Sequence, residues 1–453
     1  MSQYTTARWI LTLAVAVVAA MPMVSCSPSE FLEVEDPDII DPGDVQSAAG
    51  ANSARLGALA RFNWATTGVP AGGDESLLML GGLFADEWIN GDSFIARHEV
   101  DRRGINPDNT FLTAANRQLH RARLSAEQAV NLLTQWAPNA PAWQVGEMHF
   151  VQAYVVNVLA EHYCDGLVFS TVVDGREVYG SPITVTAACE RALEHANDGL
   201  ALTFGTDTAS LRVQRALQVI KGRILLNLNR PADAATAVAG VPTAFQYIIQ
   251  HSATTSTNQY FLLNTSSRRY SVGNSEGTNG LDFATAADPR VPVCLGGTTG
   301  CVTQNNRDDL QQPFHVQRIW TTGTAPVAII LGVEARMIEA EAQLRAGDTT
   351  ASLNTLNTAR ATVTGLTPLT DAGSTAARVD QLFRERAFWL FGRGTRVGDL
   401  RRLIRQYNRT QASVFPTGVW HKGGNYNTDV NMPVPQAELN NPNVEQSCHN
   451  RNA

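Results

Sequence analysis

The stretch AIILGVEARMIEAEAQLRAGDTTASLNTLNTARA (328–361) decides how the rest of the chain is read. Ile330, Val333, Met337, Ala340 and Leu344 recur at intervals of three and four, which is one face of an α-helix over 328–346. Glu334, Glu341 and Arg345 fall elsewhere on that helix. Gly347 suits a helix stop, and Asp348 to Thr350 can cap a second helix over 350–362, with Leu353, Leu356 and Ala359 on one side. Two short amphipathic helices joined by a tight turn predict an αα-hairpin.

The same design recurs upstream. In 210–228 (SLRVQRALQVIKGRILLNL), Val213, Leu217, Ile220 and Ile224 form one stripe. Pro231 opens a shorter helix, 231–239, at a position that favours proline, and Gly240-Val241-Pro242 ends the pair. A third pair is expected at 112–136 and 143–163, separated by Pro138 and Pro141, with a helix at 184–202 beside it. A late helix, 376–392, would bury Val379, Phe383, Ala387 and Leu390. No strict repeat is present, but a longer helix, a turn and a shorter Ala-rich helix return. That is the pattern of a mostly α, tetratricopeptide-like helical-hairpin array, with an irregular helical bundle as the alternative.

Between 243 and 326 the character changes. Ser, Thr, Asn and Gly dominate, Pro289, Pro292 and Pro313 interrupt, and periodicity fades. Weak strands are expected at Tyr260 to Leu263 and His315 to Trp320. Tyr260, Phe261, Tyr270, Phe283, Phe314 and Trp320 can anchor the segment, and a long irregular stretch of this kind is often functional. The expected organisation is therefore 1–26, 27–242, a loop-rich insertion 243–326, and 327–453, whose end from Gln411 is again rich in loops.

Composition narrows the function. With 453 residues, 44% hydrophobic, 17% charged and a net charge of −7, the chain can fill a large core and lacks the basic excess of a nucleic-acid binder. The start, MSQYTTARWILTLAVAVVAAMPMVSC (1–26), has Arg8 before a short apolar run and then Val24-Ser25-Cys26, the form of a lipoprotein signal in which Cys26 is lipidated. An ordinary secretory signal is the alternative. The next stretch, rich in Asp and Glu and broken by Pro37 and Pro42, reads as an extended tether. Export permits disulfides. Cys294 and Cys301 flank a flexible loop and are the first expected bridge; Cys164 with Cys189 is the second, leaving Cys448. No metal site is expected, because no C-x-x-C pair exists and His162 near Cys164 lacks companions at ligand spacing. No nucleotide or other cofactor motif is present.

Four segments stand in order along the chain: Cys26-Ser27 followed by Phe31-Leu32-Glu33-Val34 and Pro37; EARMIEAEAQLRAGDTTASLNTLNTARA (334–361); RERAFWLFGRGTRVGDLRRL (384–403), with an Arg-x-x-Asp-Leu-Arg-Arg turn from Arg396; and the tail NMPVPQAELNNPNVEQS (431–447). Together they resemble the SusD/RagB family of outer-membrane nutrient-binding lipoproteins. The resemblance spans the mature chain except 243–326. The late helix departs from the family pattern: Glu385 and Gly392 remain, with Phe388 and Phe391 in other places. Cys164-Asp165-Gly166 stands where an aromatic-Gly-Asp turn is common. The resemblance implies four tetratricopeptide-like units with a loop-rich ligand-binding part. It implies anchorage in the outer membrane facing the cell surface, and a SusC-like TonB-dependent barrel transporter as partner. The ligand would be a glycan or other oligomeric nutrient, bound without catalysis.

Candidate residues follow from chemistry. Sugar rings pack their C–H faces on Trp or Tyr while Asn, Asp and Arg satisfy hydroxyls. Asp86, Trp88 and Asn90 in LFADEWINGDSF (83–94), with Tyr270, Trp320, Trp420 and Tyr426, are the candidates for ligand binding. Trp389 reads as core. Arg393, Arg396, Arg401 and Arg402 are expected to pair with Glu385, Asp399 and helix C-termini. One G-x-S-x-G occurs around Ser275, without the hydrophobic strand and helix of a nucleophile elbow. Asp86-Glu87 is a carboxylate pair whose hydrolytic use depends on a separation that sequence does not supply. The rival readings are a tetratricopeptide-type protein-interaction scaffold in envelope assembly and a surface hydrolase.

Overall fold

The computed structural model describes residues 46–69, 75–173, 176–301 and 307–453. The expected signal peptide, Cys26 and the acidic tether lie outside the described residues. The helices and strands run α1 (Ala48–Thr67), α2 (Leu77–Phe84), β1 (Trp88–Asn90), α3 (Ile95–Asp101), α4 (Thr110–Trp136), α5 (Ala142–His162), β2 (Thr171–Val173), β3 (Arg176–Val178), α6 (Val185–Leu200), α7 (Thr208–Asn227), α8 (Pro231–Val238), β4 (Gln246–Ile249), β5 (Tyr270–Val272), β6 (Val293–Leu295), β7 (His315–Gln317), β8 (Val327–Leu331), α9 (Gly332–Arg345), α10 (Thr349–Arg360), α11 (Thr375–Trp389) and α12 (Arg396–Tyr407).

Helix starts are set by side-chain oxygens that accept otherwise orphaned N–H groups. Ser47, Ser76, Asn109, Thr184, Asp207, Asp348 and Ser374 each do this for the helix that follows. Four helix pairs result: α1 with α4, α5 with α6, α7 with α8, and α9 with α10. Adjacent pairs stack through α4 on α5, α6 on α7 and α8 on α9, giving the helical-hairpin array. The expected contact between 112–136 and 143–163 exists, but it joins two neighbouring pairs. The α4 helix packs chiefly on α1, whose small-residue face the periodicity argument passed over. Helix α5 is buried along almost its whole length from Gly146 to His162, because it is apolar around its circumference and sits between α4, α6 and α7.

Four local expectations are corrected. Residues 327–331 are a strand, so α9 begins at Gly332; the branched run Val-Ala-Ile-Ile-Leu pairs antiparallel with β4, Tyr247 opposite Ile330 and Ile249 opposite Val327. Gly332 lies against the carbonyls of Pro242 and Thr243, where a side chain would collide with backbone. Tyr260 to Leu263 form helical turns rather than a strand, because the Asn258 side chain caps the N–H of Phe261. Strand β7 stops at Gln317, whose side-chain oxygen accepts from the N–H groups of Ile319 and Trp320 and so curls the chain away. The segment after Arg396 is a full helix, not a turn.

The expected boundaries at 242 and 326 do not separate compact units; residues 46–453 cluster as one. Strand β5 pairs with β1 (Trp88 opposite Val272) and β4 with β8, so 243–326 is stitched to both flanks. Cys294 and Cys301 are bridged. The second bridge differs from the expected one: Cys164 joins Cys448, and Cys189 is free and buried in α6. The reason is the path of the C-terminal tail. Cys164 N–H donates to the Met432 carbonyl (2.9 Å), and the His449 N–H to the Asp165 carbonyl (2.9 Å), which lays the tail beside Cys164.

Helix α12 carries charge into this apolar interior. Arg402 binds Glu341 of α9 and Asp399 (2.8 Å), and Arg386 of α11 grips Asp399 with two bonds of 2.9 Å. Arg401 donates to the carbonyls of Ala160, Glu161 and Tyr163 at the C-terminal end of α5, at 2.8–3.0 Å. Removing one member of a buried pair strands the other without water. Glu341→Ala is therefore expected to lower stability by about 3–5 kcal/mol in a denaturant titration. Asp233→Ala, which breaks an exposed pair with Arg230, should leave the midpoint nearly unchanged.

Candidate ligand-binding site

The structure divides the seven residues expected at a binding site into two groups. Asp86, Trp88, Asn90, Tyr270 and Trp320 are interior. Trp88 is 0% exposed, with the rings of Phe391 at 4.8 Å and Tyr260 and Tyr270 at 6.4 Å. Trp320 is 2% exposed, stacked on Tyr260 (4.6 Å) and covered by the Arg393 guanidinium (4.8 Å). Asp86 holds Arg396 at 2.6 and 2.8 Å and accepts the Leu281 N–H. Asn90 pairs with Tyr270 across the β1–β5 ladder. These side chains offer no surface to a sugar. Loops poor in aliphatic residues have bulky rings as their main apolar material, and burial draws them inward. Trp389 packs against the core as expected, with Arg290 over its ring.

Trp420 and Tyr426 belong to a different place. The turn His421-Lys422-Gly423-Gly424 closes a hairpin between Val419 and Asn425, and both glycines have positive φ (97° and 75°). Trp420 lines a cleft of about 680 Å³ with Ile95, His98 and Glu99 of α3, Arg102, Gly104, Ile105 and Asn106 of the next loop, Asn427 to Asp429, and Arg451. Tyr426 lies behind it, 9% exposed, its hydroxyl bonded to buried Glu276 at 3.1 Å.

The cleft is held by groups beneath it. Buried Arg97 anchors α3 from inside through Glu75 and Asp92 (2.5 Å). Asp101, at the C-terminal end of α3, accepts from Trp420 Nε1 (3.1 Å) and the Asn90 N–H (3.2 Å), fixing the indole plane. Burial raises the Asp101 carboxyl above its ordinary range, opposed by His421 at 3.7 Å. Arg103, in the left-handed region (φ 59°), donates to the carbonyls of Asn427 and Asp429 and clamps the far wall. Gly104 lies against the Asn427 side chain, which a Cβ at that position would force to shift.

The volume falls within the range of small-ligand sites. Trp420 is only 5% exposed, but Ile95 is 74% and the neighbouring Phe94 51% exposed, an apolar lip beside polar walls. Two carboxylates, Glu99 and Asp429, stand against two guanidiniums, Arg102 and Arg451. Their charges cancel, which favours a neutral, hydrogen-bonding ligand over an ionic one. Apart from Trp420, sequence reasoning missed these residues. They come from three distant segments and show no spacing of their own. A second cleft of about 440 Å³ lies between α6, α7 and α8, lined by Asn197, Gln218, Lys221, Arg230 and Asp233 among others.

The hydrolase candidates fare differently. Ser275 is exposed in a loop, with a three-residue strand before it and a turn after it, not the strand and helix of a nucleophile elbow. Asp86 is committed to Arg396. Glu87 is fully enclosed, accepts the Gly392 N–H at 3.0 Å, and burial pushes its carboxyl up to about 8. The folded state thus keeps Glu87 neutral where the unfolded chain ionises above about 4.5. Its contribution to stability is full below that pH and lost as pH rises through about 8. Thermal melts should show wild type losing stability relative to Glu87→Gln between pH 5 and 8, with the gap constant beyond.

No family model and no curated protein matches the sequence. Solved structures do match. A SusD superfamily protein from Parabacteroides distasonis aligns with a TM-score of 0.66 at 13% identity, over 88% of this chain and 99% of that one. A SusD-like protein from Bacteroides fragilis gives 0.64 at 13% identity, over 91% and 99%. Surface glycan-binding protein A from Bacteroides uniformis gives 0.63 at 13% identity, over 88% and 99%. Matches of this extent, on a mostly helical chain of hairpin pairs with few short strands, establish that the chain has the SusD-like fold.

Proposed function

We propose that this protein is an outer-membrane lipoprotein, anchored through Cys26 at the cell surface, that captures a glycan or other oligomeric nutrient and passes it to a SusC-like TonB-dependent transporter without catalysis. The observation that carries this reading is the charge-balanced cleft beside Trp420, on a fold similar, over 88% of the chain, to that of a surface glycan-binding protein. Its walls alternate donors and acceptors, as a polyhydroxylated ligand requires. Its lip at Phe94 and Ile95 gives the C–H faces of sugar rings an apolar surface. The buried supports under Trp420 and Arg103 fix the walls before any ligand arrives, which lowers the entropic cost of binding.

Two measurements test this. Extraction from native membranes in mild detergent should recover a TonB-dependent barrel in near-equal amount. Recovery alone, or with periplasmic assembly factors, would remove the transporter role and favour the scaffold reading. An immobilised library of neutral glycans should retain the purified protein. Arg102→Ala with Asn106→Ala, both exposed on the cleft, should weaken that retention about tenfold or more, at about 1 kcal/mol per lost hydrogen bond, with the melting temperature unchanged.

A further inference from the structure

Helices α5 and α6 pack antiparallel in the second hairpin pair. Where they face each other at one end, His149 of α5 meets His195 and Asp198 of α6. One ligand atom from each lies within 4.8 Å of the other two. His195 and Asp198 are three residues apart, which puts them on one helix face. Gly199 permits the approach, because a Cβ there would meet Leu217 at 2.8 Å and the Cβ of His149 at 3.1 Å. Nδ1 of His149 is buried and has no hydrogen-bond partner, so this imidazole has a nitrogen not committed elsewhere in the protein. Asp198 is exposed and leaves a route from solvent. Neither cleft described above includes these three residues.

We infer that His149, His195 and Asp198 form a site for a late divalent transition metal, Zn²⁺ by its ligand chemistry, that clips α5 to α6. Two imidazoles and one carboxylate are the donor types that zinc takes, with water completing a tetrahedron. Bonds of about 2.0–2.1 Å place such donors about 3.3 Å apart, a contraction within reach of side-chain rotation. Two guanidiniums act electrostatically on His195, and both are engaged elsewhere. Arg123 binds Glu127 and lies over the Phe169 ring, and Arg191 lies over the same ring. The clip joins helices from one hairpin pair, so its effect is on the rigidity of the array rather than on the cleft.

The test titrates Zn²⁺ alone into the chelator-stripped full protein by calorimetry, with thermal melts alongside. One saturable site per chain and a melting temperature that rises with Zn²⁺ and falls back with chelator are expected. His149→Gln and His195→Gln should each weaken uptake at least about tenfold. Asp198→Asn changes an exposed residue, leaves the packing intact and should do the same. The inference is overturned if wild type takes up no Zn²⁺ saturably, or if Asp198→Asn binds as tightly as wild type. It is equally overturned if Cys189→Ser, and not the histidine variants, abolishes uptake.

Discussion

The structure depends on charges buried where apolar packing alone would leave the helices free to slide. Helix α12 holds Arg396, Asp399, Arg401 and Arg402 almost without solvent contact, and each is matched on a different element. Asp86 precedes β1, Glu341 lies on α9, Arg386 on α11, and the carbonyl end of α5 receives Arg401. A bidentate guanidinium–carboxylate contact has one good geometry, and in a dry interior an unmatched partner is costly. The lattice therefore fixes register among elements that share little sequence periodicity. Glu147 acts similarly for the other pairs, accepting from Arg55 of α1, Arg212 of α7 and the Tyr247 hydroxyl of β4.

That rigidity lets loops build a site. The cleft walls are irregular backbone, and irregular backbone keeps a shape only when its polar groups are tied down. Here the ties come from beneath. Arg97 and Asp101 face inward from α3, Arg103 clamps the carbonyls of the 427–429 loop, and Lys422 reaches the Asp92 carbonyl at 2.8 Å. The long-range bridge from Cys164 to Cys448 secures the tail on which Arg451 sits.

Legibility in the sequence followed the range of the physics. The 334–361 hairpin was legible because its spacing, its glycine stop and its Asp348 cap are all local, and Gly347 indeed takes a positive φ of 85°. The pair 210–239 was legible for the same reason. Helix α12 was not, because arginine and aspartate at buried positions defeat a reading that equates polarity with the surface. The interior aromatic candidates Trp88, Tyr270 and Trp320 illustrate a related point. A Trp flanked by Asp and Asn looks like a sugar platform, yet Trp88 is walled in by Phe391, Tyr260 and Tyr270, which lie 172 to 303 residues further along the chain.

By itself, the sequence determined that much of the chain is helical and that helices recur as hairpins, as at 210–239 and 334–361. Those choices rest on interactions within a few residues. Only the tertiary structure decided that α1 pairs with α4, across two intervening helices and a strand. It also decided that Cys164 takes Cys448 rather than Cys189, and that the cleft draws on residues 95–106, 420–429 and 451 at once. Each of these depends on bringing distant segments together, and that is governed by the burial of apolar area and the matching of buried charges across the whole chain, which no local spacing records.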